Sequence, residues 1–509
     1  MSSDEIVDLL VVGGGINGVG IARDAAGRGH SVVLCEQGDL GGATSSASTK
    51  LIHGGLRYLE HYRFGLVRES LAERETLLRL APHAIRPLRF ILPLGPAGRP
   101  AWLIRLGLIL YDSLSRRVTL PGYESIDLTR HPAGAPLAPG IRRGFAYSDC
   151  RVDDSRLVVL NALSAAEHGA LILTRTRLVS AEADSGLWSA RLVSTAGGEG
   201  ERRLRARVLV NATGPWVARF QEDAVGVAAS HPVRLVKGSH IVVPRLFESD
   251  QAYIFQHTDN RVFFAIPYED DFTLIGPTEV DFEGDPASAV ISDDETGYLC
   301  RAAARYFKRP PEPADVVWSF AGVRPLHGDP GKDASGLTRD YLLDLKTVAG
   351  SAPMLSVYGG KITTYRTLAE AALERIGPLL GTSGPPWTGA APLPGGDLGP
   401  GGLDGLMTRT RDAHPWLPPS LCRRYAGAYG TRLERLLDGV SDMGGLGQEL
   451  GAGLYETEAR YLMDREWART ACDILWRRTK LGLKAPDGMA GRLGDWMAAR
   501  RNEAGSTPR

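Results

Sequence analysis

The chain is short of the features that assign a protein quickly. Its 509 residues hold only five cysteines (Cys35, Cys150, Cys300, Cys422 and Cys472). None forms a CxxC pair, which argues against a structural zinc site or a disulfide framework. The histidines show no HxxxH or HExxH spacing, so no metal is expected. There is no charge excess either, with 59 Lys plus Arg against 59 Asp plus Glu. Without a global field no nucleic-acid partner is expected, and any anion site has to be local. No apolar run reaches the ~18 residues of a membrane-spanning helix. The nearest, WLIRLGLILY at 102–111, is interrupted by Arg105. The opening MSSDEIVDLL is acidic and lacks the basic-then-apolar order of a signal peptide. The expectation is a chain that does not cross a membrane, lives in a reducing cytoplasm, and can still lie on a bilayer.

What remains is an ordinary globular composition, 43% hydrophobic and 23% charged, at a length that suggests two or three domains. The opening is the clearest part. IVDLLVV (6–12) reads as a strand, Gly13-Gly14-Gly15 breaks it, INGVGIARDAAGRG (16–29) has helical spacing, and HSVVLCE (30–36) is a second strand. Gly13 permits the tight turn, Gly15 lets backbone approach a pyrophosphate, and Gly18 allows close packing of helix on strand. The helix N-terminus offers N–H groups to phosphates, and Glu36 can accept from ribose hydroxyls. The glycine motif alone does not separate FAD from NAD. Two features favour FAD: the fingerprint precedes hundreds of further residues, and VLVNATGPW (208–216) is a buried strand ending in a small-residue turn around Gly214 that can return to the cofactor.

The stretch TSSASTKLIHGGLRY (44–58) follows closely, which puts it at the carboxyl edge of the strands, where ligands bind in such sheets. Thr44, Ser45, Ser46, Ser48 and Thr49 offer hydroxyls and N–H groups suited to a pyrophosphate or a flavin edge. Gly54 allows a planar ring to come close, and Arg57 is a forked donor for phosphate or carboxylate. The bland alternative is a surface loop with a solvated Arg57. Further along, 63–84 reads as an amphipathic helix, 231–290 as β-rich, 367–380 as a helix, and 381–402 as a Pro/Gly-rich linker before a helical remainder.

The segments DLLVVGGGINGVGIARDAAGRG, ATSSASTKLIHGGLRYLEHY, RGFAYSDCRVDDSRLVVLNA, NATGPWV, VKGSHIVVP, GVRPL, TRDY, GGKITTYRTLAE and YLMDREWARTACDILWRRTKLGL together resemble the FAD-dependent (aerobic, respiratory) sn-glycerol-3-phosphate dehydrogenases. The likeness covers nearly the whole chain and is weakest at 385–450. It implies oxidation of sn-glycerol 3-phosphate to dihydroxyacetone phosphate, with hydride passing from C2 to N5 of FAD and electrons continuing to a membrane quinone. The implied catalytic residues are His240, as base, with Arg324 and Arg57. Substrate contacts extend to Tyr58, Arg339 and Lys361. Gly360, Lys361 and Thr363 join the cofactor set, with Thr363 also a candidate helix cap. His53 competes with His240 as base and is a position to check for flavin attachment. Two rivals share the fold: an oxidase handing electrons to O2, and a flavin amine oxidase.

The implied architecture is α/β: a Rossmann-like FAD-binding domain (5–95, 145–225, 350–384), an inserted antiparallel β-rich substrate domain (96–144, 226–349), a linker (385–402) and a helical C-terminal domain (403–498). The family also implies peripheral association with the inner face of the cytoplasmic membrane, and leaves a homodimer open. Two segments are compatible with a membrane surface: Trp102–Tyr111, flanked by Arg99, Arg105, Arg116 and Arg117, and the C-terminal group Trp467, Ile474, Leu475 and Trp476 beside Arg477, Arg478, Lys480 and Lys484, although for the second the stronger reading is tryptophans packing a small helical domain with the basic residues in solvent.

Overall fold

Residues 6–95, 99–114, 119–197, 200–257, 259, 261–326, 340–349, 352–381 and 384–506 are described by a computed structural model. The first of two large sheets contains β1 (Ile6–Val12), β2 (Val32–Cys35), β7 (Leu171–Leu173), β8 (Thr176–Asp184), β9 (Leu187–Ser194), β10 (Glu201–Asn211), β17 (Tyr341–Val348) and β18 (Ala352–Gly359). Their order is β17-β18-β10-β1-β2-β7, with the β8–β9 hairpin attached to β10. The inner strands pair in parallel, and β17 and β9 join antiparallel. Such strands are covered on both faces, which is why IVDLLVV and VVLC are almost unbroken apolar runs. One face buries Leu9 and Val11 under α1 (Ile16–Gly27), α4 (Asp154–Glu167) and α7 (Tyr365–Leu380). The other buries Leu10 and Val12 with Trp188 of the hairpin and Phe220 of α5 (Val217–Asp223).

The second sheet is built from β3 (Leu51–Ile52), β4 (Ile85–Pro93), β5 (Glu124–Asp127), β6 (Arg143–Val152), β11 (Arg234–Pro244), β12 (Ala252–Gln256), β13 (Val262–Tyr268), β14 (Phe272–Gly276), β15 (Val280–Asp281) and β16 (Trp318–Leu326). The order is β15-β11-β14-β13-β12-β4-β6-β3, with β16 on β11 and β5 on β6. Two features depart from the sequence expectation. The sheet is not wholly antiparallel, because β12 runs parallel to β4 through Ala252↔Phe90 and Tyr253↔Ile91. And β3, β4 and most of β6, which fall within 5–95 and 145–225, hydrogen-bond into this sheet. Local periodicity identifies a strand but not its partner elsewhere in the chain. Helices α2 (Phe64–Leu80) and α3 (Ala101–Ser113) pack on one side of this sheet and α6 (Asp293–Ala304) on the other.

The C-terminal helices α8 (Gly402–Ala413), α9 (Pro419–Tyr429), α10 (Leu433–Leu436), α11 (Glu456–Arg465) and α12 (Met489–Ser506) enclose a core around Tyr425, Tyr429 and Leu462. Buried ions dock this unit on the rest. Arg156 of α4 donates to Glu466, Arg478 to Asp39 at 2.6 and 2.8 Å, and Lys480 to the Ser155 hydroxyl at 2.6 Å. Trp476 stacks on Trp318 with centroids 4.3 Å apart. Ile474, Leu475 and Arg478 are buried. This segment therefore does not offer a face to a bilayer, because its apolar groups fill the domain and its cations neutralise buried carboxylates. The Pro/Gly-rich stretch read as a linker is also packed: Leu393 and Leu398 are buried, and a Cβ on Gly395 would lie 2.1 Å from the Tyr429 carbonyl oxygen.

Candidate active site

Four segments far apart in sequence meet at the N-terminal end of α1. Gly13 follows β1 at φ +111, and a Cβ there would lie 2.4 Å from the Ala212 carbonyl oxygen, so the turn after β10 abuts the glycine turn directly. A Cβ on Gly18 would lie 1.9 Å from the Gly13 carbonyl oxygen. Both positions have to be glycine if the loop is to close under the helix. Gly15 is the N-cap residue of α1 and brings no side chain to it. The Ser45 hydroxyl supplies that function, accepting from Ile16 N–H at 3.0 Å. From the opposite side, Asn17 donates to the Gly359 carbonyl at 3.2 Å, which brings in the Gly-Gly-Lys turn, and a Cβ on Gly360 would lie 3.0 Å from the Asn17 amide nitrogen. Gly214, at φ +59, has open space where its side chain would project. The helix end, the bare glycine turns and this opening fit a dinucleotide pyrophosphate.

Glu36 closes the same loop. Its two oxygens accept from Gly14 and Gly38 N–H, each at 2.7 Å, and each keeps a second lone-pair direction for a ribose hydroxyl. Desolvation raises its carboxyl above the ordinary range, opposed by those two amides.

The stretch 44–58 runs from this cradle onto the second sheet. Thr44 donates to the Val323 carbonyl of β16 at 2.6 Å. Gly322 faces Ala47, where a Cβ would approach within 2.8 Å. Thr49 meets His240 of β11, Oγ1 to Nε2, at 3.0 Å. Not every hydroxyl is aimed at a ligand. Ser46 bonds the Ala43 carbonyl, and Ser48 is committed to Asp154 at 2.7 Å, which also pairs with Lys50 at 2.8 Å. Gly54 is explained by protein packing, since a Cβ would strike Leu71 and the Tyr111 hydroxyl. Thr363 contacts the backbone of His53, accepting from its N–H at 3.3 Å.

Beyond the loop, two arginines from different segments converge. Arg57 and Arg324 lie 3.9 and 3.5 Å from separate oxygens of Glu279. Arg324 lies across Gly238, where a Cβ would come 2.8 Å from its Nη2. His240 is two residues further along the same strand and so shares that face. Lys361 sits 4.6 Å over the Tyr58 ring and donates to Ser70 at 2.9 Å. Arg339 lies outside the described residues. Glu279, Ser70 and Phe320 were not anticipated from sequence. The only signal was a carboxylate in a β-rich segment, which is equally the mark of a solvated strand end.

His240 is 1% exposed. It stacks on Phe320 at 4.8 Å, and its Nδ1 has no hydrogen-bond partner among the described residues. Burial, then Arg324 and Lys50, push its pKa well below 6.5. The imidazole is thus neutral at pH 7. The unfolded chain takes up this proton first, so His240 contributes stability that is fully present above pH ~6.5 and lost as pH falls below it.

Comparison with known proteins agrees with this geometry. Residues 8–366 match the FAD dependent oxidoreductase family, and residues 387–502 match the C-terminal domain of alpha-glycerophosphate oxidase. The chain is 54% identical to a glycerol-3-phosphate dehydrogenase of Pseudomonas aeruginosa, over 97% of this chain and 95% of the relative. It is 50% identical to D-erythritol 1-phosphate dehydrogenase of Brucella abortus, over 94% and 95%. The crystal structure of a glycerol-3-phosphate dehydrogenase from Bacillus halodurans complexed with FAD superposes with TM-score 0.77 at 26% identity, covering 98% of this chain and 91% of that one. FAD is the cofactor, and the cradle around Gly13, Gly15, Gly18 and Glu36 has the form to hold it. The chain belongs to the family of FAD-dependent glycerol-3-phosphate dehydrogenases.

Proposed function

We propose that this enzyme oxidises sn-glycerol 3-phosphate to dihydroxyacetone phosphate and delivers the electrons to a membrane quinone. The observation that carries the reading is the convergence of Arg57 and Arg324 on one carboxylate, beside a neutral buried histidine and next to the flavin cradle. FAD, when bound, supplies a two-electron acceptor for the hydride leaving C2.

The chain's own residues do the rest. The guanidinium forks of Arg57 and Arg324 turn from Glu279 toward the phosphate dianion, which fits them bidentately. The family resemblance of TRDY implies Arg339, outside the described residues, as a further substrate contact. Tyr58 and Lys361 bound the substrate on the side of α2, with the ammonium supplying positive charge near the reacting carbon. His240 is too enclosed to meet the substrate alone. Thr49, half-buried and bonded to its Nε2, relays the C2 hydroxyl proton: Thr49 takes it while giving its own to the imidazole. Replacing Thr49 by valine should then lower kcat by roughly 10²-fold or more with KM little changed, the scale of a lost general-base path. With the folded His240 pKa held well below 6.5, kcat should stay level from alkaline pH down through about 6.5 and fall only at pH well below that, where the folded enzyme protonates it, read from a pH profile at saturating substrate.

The membrane reading is supported by α3. Trp102 is 67% and Leu106 55% exposed, and Leu103, Ile109, Tyr62 and Phe64 add further exposed apolar surface. Arg116 and Arg117 lie outside the described residues. No helix among the described residues is long and apolar enough to cross a membrane; that docking is peripheral and on the inner face of the cytoplasmic membrane is what the family resemblance implies. This favours a quinone over O2 as acceptor. Trp102→Ala/Leu106→Ala should reduce sedimentation with lipid vesicles several-fold, as expected from ~0.8 kcal/mol per buried CH2 lost, without changing flavin content.

The test is steady-state turnover with a quinone analogue and a substrate panel. Rapid oxidation of sn-glycerol 3-phosphate, with glycerol slower by roughly 10²-fold or more for want of the charged contacts, is expected. D-erythritol 1-phosphate belongs in the panel because of the similarity to an enzyme that acts on it. Turnover of amino acids without turnover of any polyol phosphate would overturn the reading in favour of an amine oxidase.

A further inference from the structure

The buried side of α3 reaches the substrate loop. Tyr111 is the last residue of WLIRLGLILY, yet it is 1% exposed. Its hydroxyl oxygen accepts from the Gly54 N–H at 2.8 Å. Its O–H faces both oxygens of Asp149 on β6, each at 2.9 Å. An ionised carboxylate only accepts, so Asp149 orients the hydroxyl hydrogen toward itself and leaves a lone pair for Gly54. Asp149 is held in turn by Arg74 of α2 at 2.7 Å, and the same guanidinium donates to the Ser148 carbonyl at 2.8 Å. Tyr111, Asp149 and Arg74 are each 3% exposed or less. Four segments therefore meet in one buried network whose single anion and single cation balance.

What the network holds is the turn that carries two substrate residues. Gly54 precedes Gly55, which has φ +81 and caps the short helix Leu56–His61 that bears Arg57 and Tyr58. Two consecutive glycines leave a chain free to adopt many conformations, and the bond to Tyr111 removes that freedom at Gly54. The same face of α2 fixes the other side of the site. Ser70, four residues before Arg74 and so on the same face, accepts from Lys361 at 2.9 Å, and Lys361 lies over the Tyr58 ring. We propose that Tyr111 is a positioning residue for the oxidation: held by Asp149 and Arg74, it fixes the Gly54-Gly55 turn and so aims Arg57 at the substrate phosphate. This role rests on the reading of Arg57 as a phosphate contact given above.

The test is a double-mutant cycle on the flavin-loaded enzyme, with sn-glycerol 3-phosphate and glycerol as substrates and a water-soluble quinone analogue as acceptor. The variants are Tyr111→Phe, Arg57→Ala and the two combined. Tyr147→Phe is the control, because Tyr147 packs beside Tyr111 in the same core, ring centroids 6.0 Å apart, and its hydroxyl does not bond the turn. Tyr111→Phe should raise KM for sn-glycerol 3-phosphate about tenfold, as leaving a buried N–H unpaired warrants, with a smaller change in kcat. The preference for sn-glycerol 3-phosphate over glycerol, as a ratio of kcat/KM, should fall by a similar factor. In the Arg57→Ala background the same change should add less than about twofold, because two groups acting as a unit are not additive. Tyr147→Phe should keep the wild-type preference. Arg74→Lys, which keeps the charge beside Asp149 without the planar fork, should show the same signature at smaller size, and it stands in should Tyr111→Phe fail to fold. Equal losses with both substrates, or a further tenfold loss in the Arg57→Ala background, would make Tyr111 a general support of the fold and overturn its positioning role. An unchanged KM would overturn it too. An Arg57→Ala variant that kept the full preference for the phosphate would remove the phosphate reading of Arg57 and the role of Tyr111 with it.

Discussion

Arg324→Ala is expected to lower kcat/KM for sn-glycerol 3-phosphate by roughly 10²–10³-fold, because truncating one member of a hydrogen-bonded charge pair in a shielded site costs about 2–5 kcal/mol. Two things go wrong at once. The phosphate loses a fork, and Glu279 is left facing the dianion with less positive charge to offset it. The loss should appear mainly in KM, because the guanidinium holds the phosphate in ground and transition state alike. Arg324→Lys keeps the charge without the planar fork and should recover only part of the loss. Flavin content should stay at the wild-type level in both, since Arg324 lies across Gly238 on the second sheet, away from the helix end that receives the pyrophosphate. A variant that lost flavin along with activity would mean that Arg324 supports the fold rather than the substrate.

The second large effect is expected at Gly18. An alanine there places Cβ 1.9 Å from the Gly13 carbonyl oxygen, and that atom is backbone, so no rotamer change relieves the clash. The turn after β1 must move, carrying the N–H groups that face the pyrophosphate. Overpacking of this kind costs upward of ~1–3 kcal/mol, and each 1.4 kcal/mol is about tenfold in affinity. Gly18→Ala should therefore purify largely without bound FAD and fail to take it up at concentrations that saturate the wild type. Circular dichroism should still report a folded chain, because the second sheet and the C-terminal helices do not depend on this turn. Gly15→Ala is the useful contrast. Its Cβ would lie 3.1 Å from the Ser45 hydroxyl that caps α1 and stand where the backbone has to approach the pyrophosphate, so that variant should also lose flavin, but with the turn after β1 itself undisturbed.

How much of this was legible in the sequence follows from how local each feature is. The β1-α1-β2 unit, the glycines between its parts and Glu36 lie within about thirty residues of one another, and each glycine answers a short-range steric demand, so their roles were readable from spacing. The position of 44–58 was also readable, because it follows β2 at the carboxyl edge of the sheet. What the residues of that stretch do was only half readable. Ser45 and Thr49 face the helix end and His240, whereas Ser48 is tied to Asp154 and Gly54 to Tyr111 and Leu71, and nothing in a run of small hydroxyl residues distinguishes these fates. Glu279 was invisible because its meaning depends on Arg57, more than two hundred residues away. The C-terminal tryptophans and arginines carried the composition of a membrane-surface helix, yet Trp476 stacks on Trp318 and Arg478 neutralises Asp39. Amphipathic composition alone cannot tell a bilayer from another domain. On α3 the apolar residues Trp102 and Leu106 are left exposed, and that exposure is what the proposed membrane docking rests on.

The most direct measurement is the visible spectrum of the purified enzyme, recorded without oxygen before and after addition of sn-glycerol 3-phosphate. Flavin bands that bleach on addition, with Arg324→Ala needing far more substrate to reach the same bleaching, are the expected result. Flavin bands that stay unchanged with sn-glycerol 3-phosphate and with D-erythritol 1-phosphate would leave the cofactor in place and contradict the assignment of Arg57, Arg324 and His240 to the oxidation of a polyol phosphate.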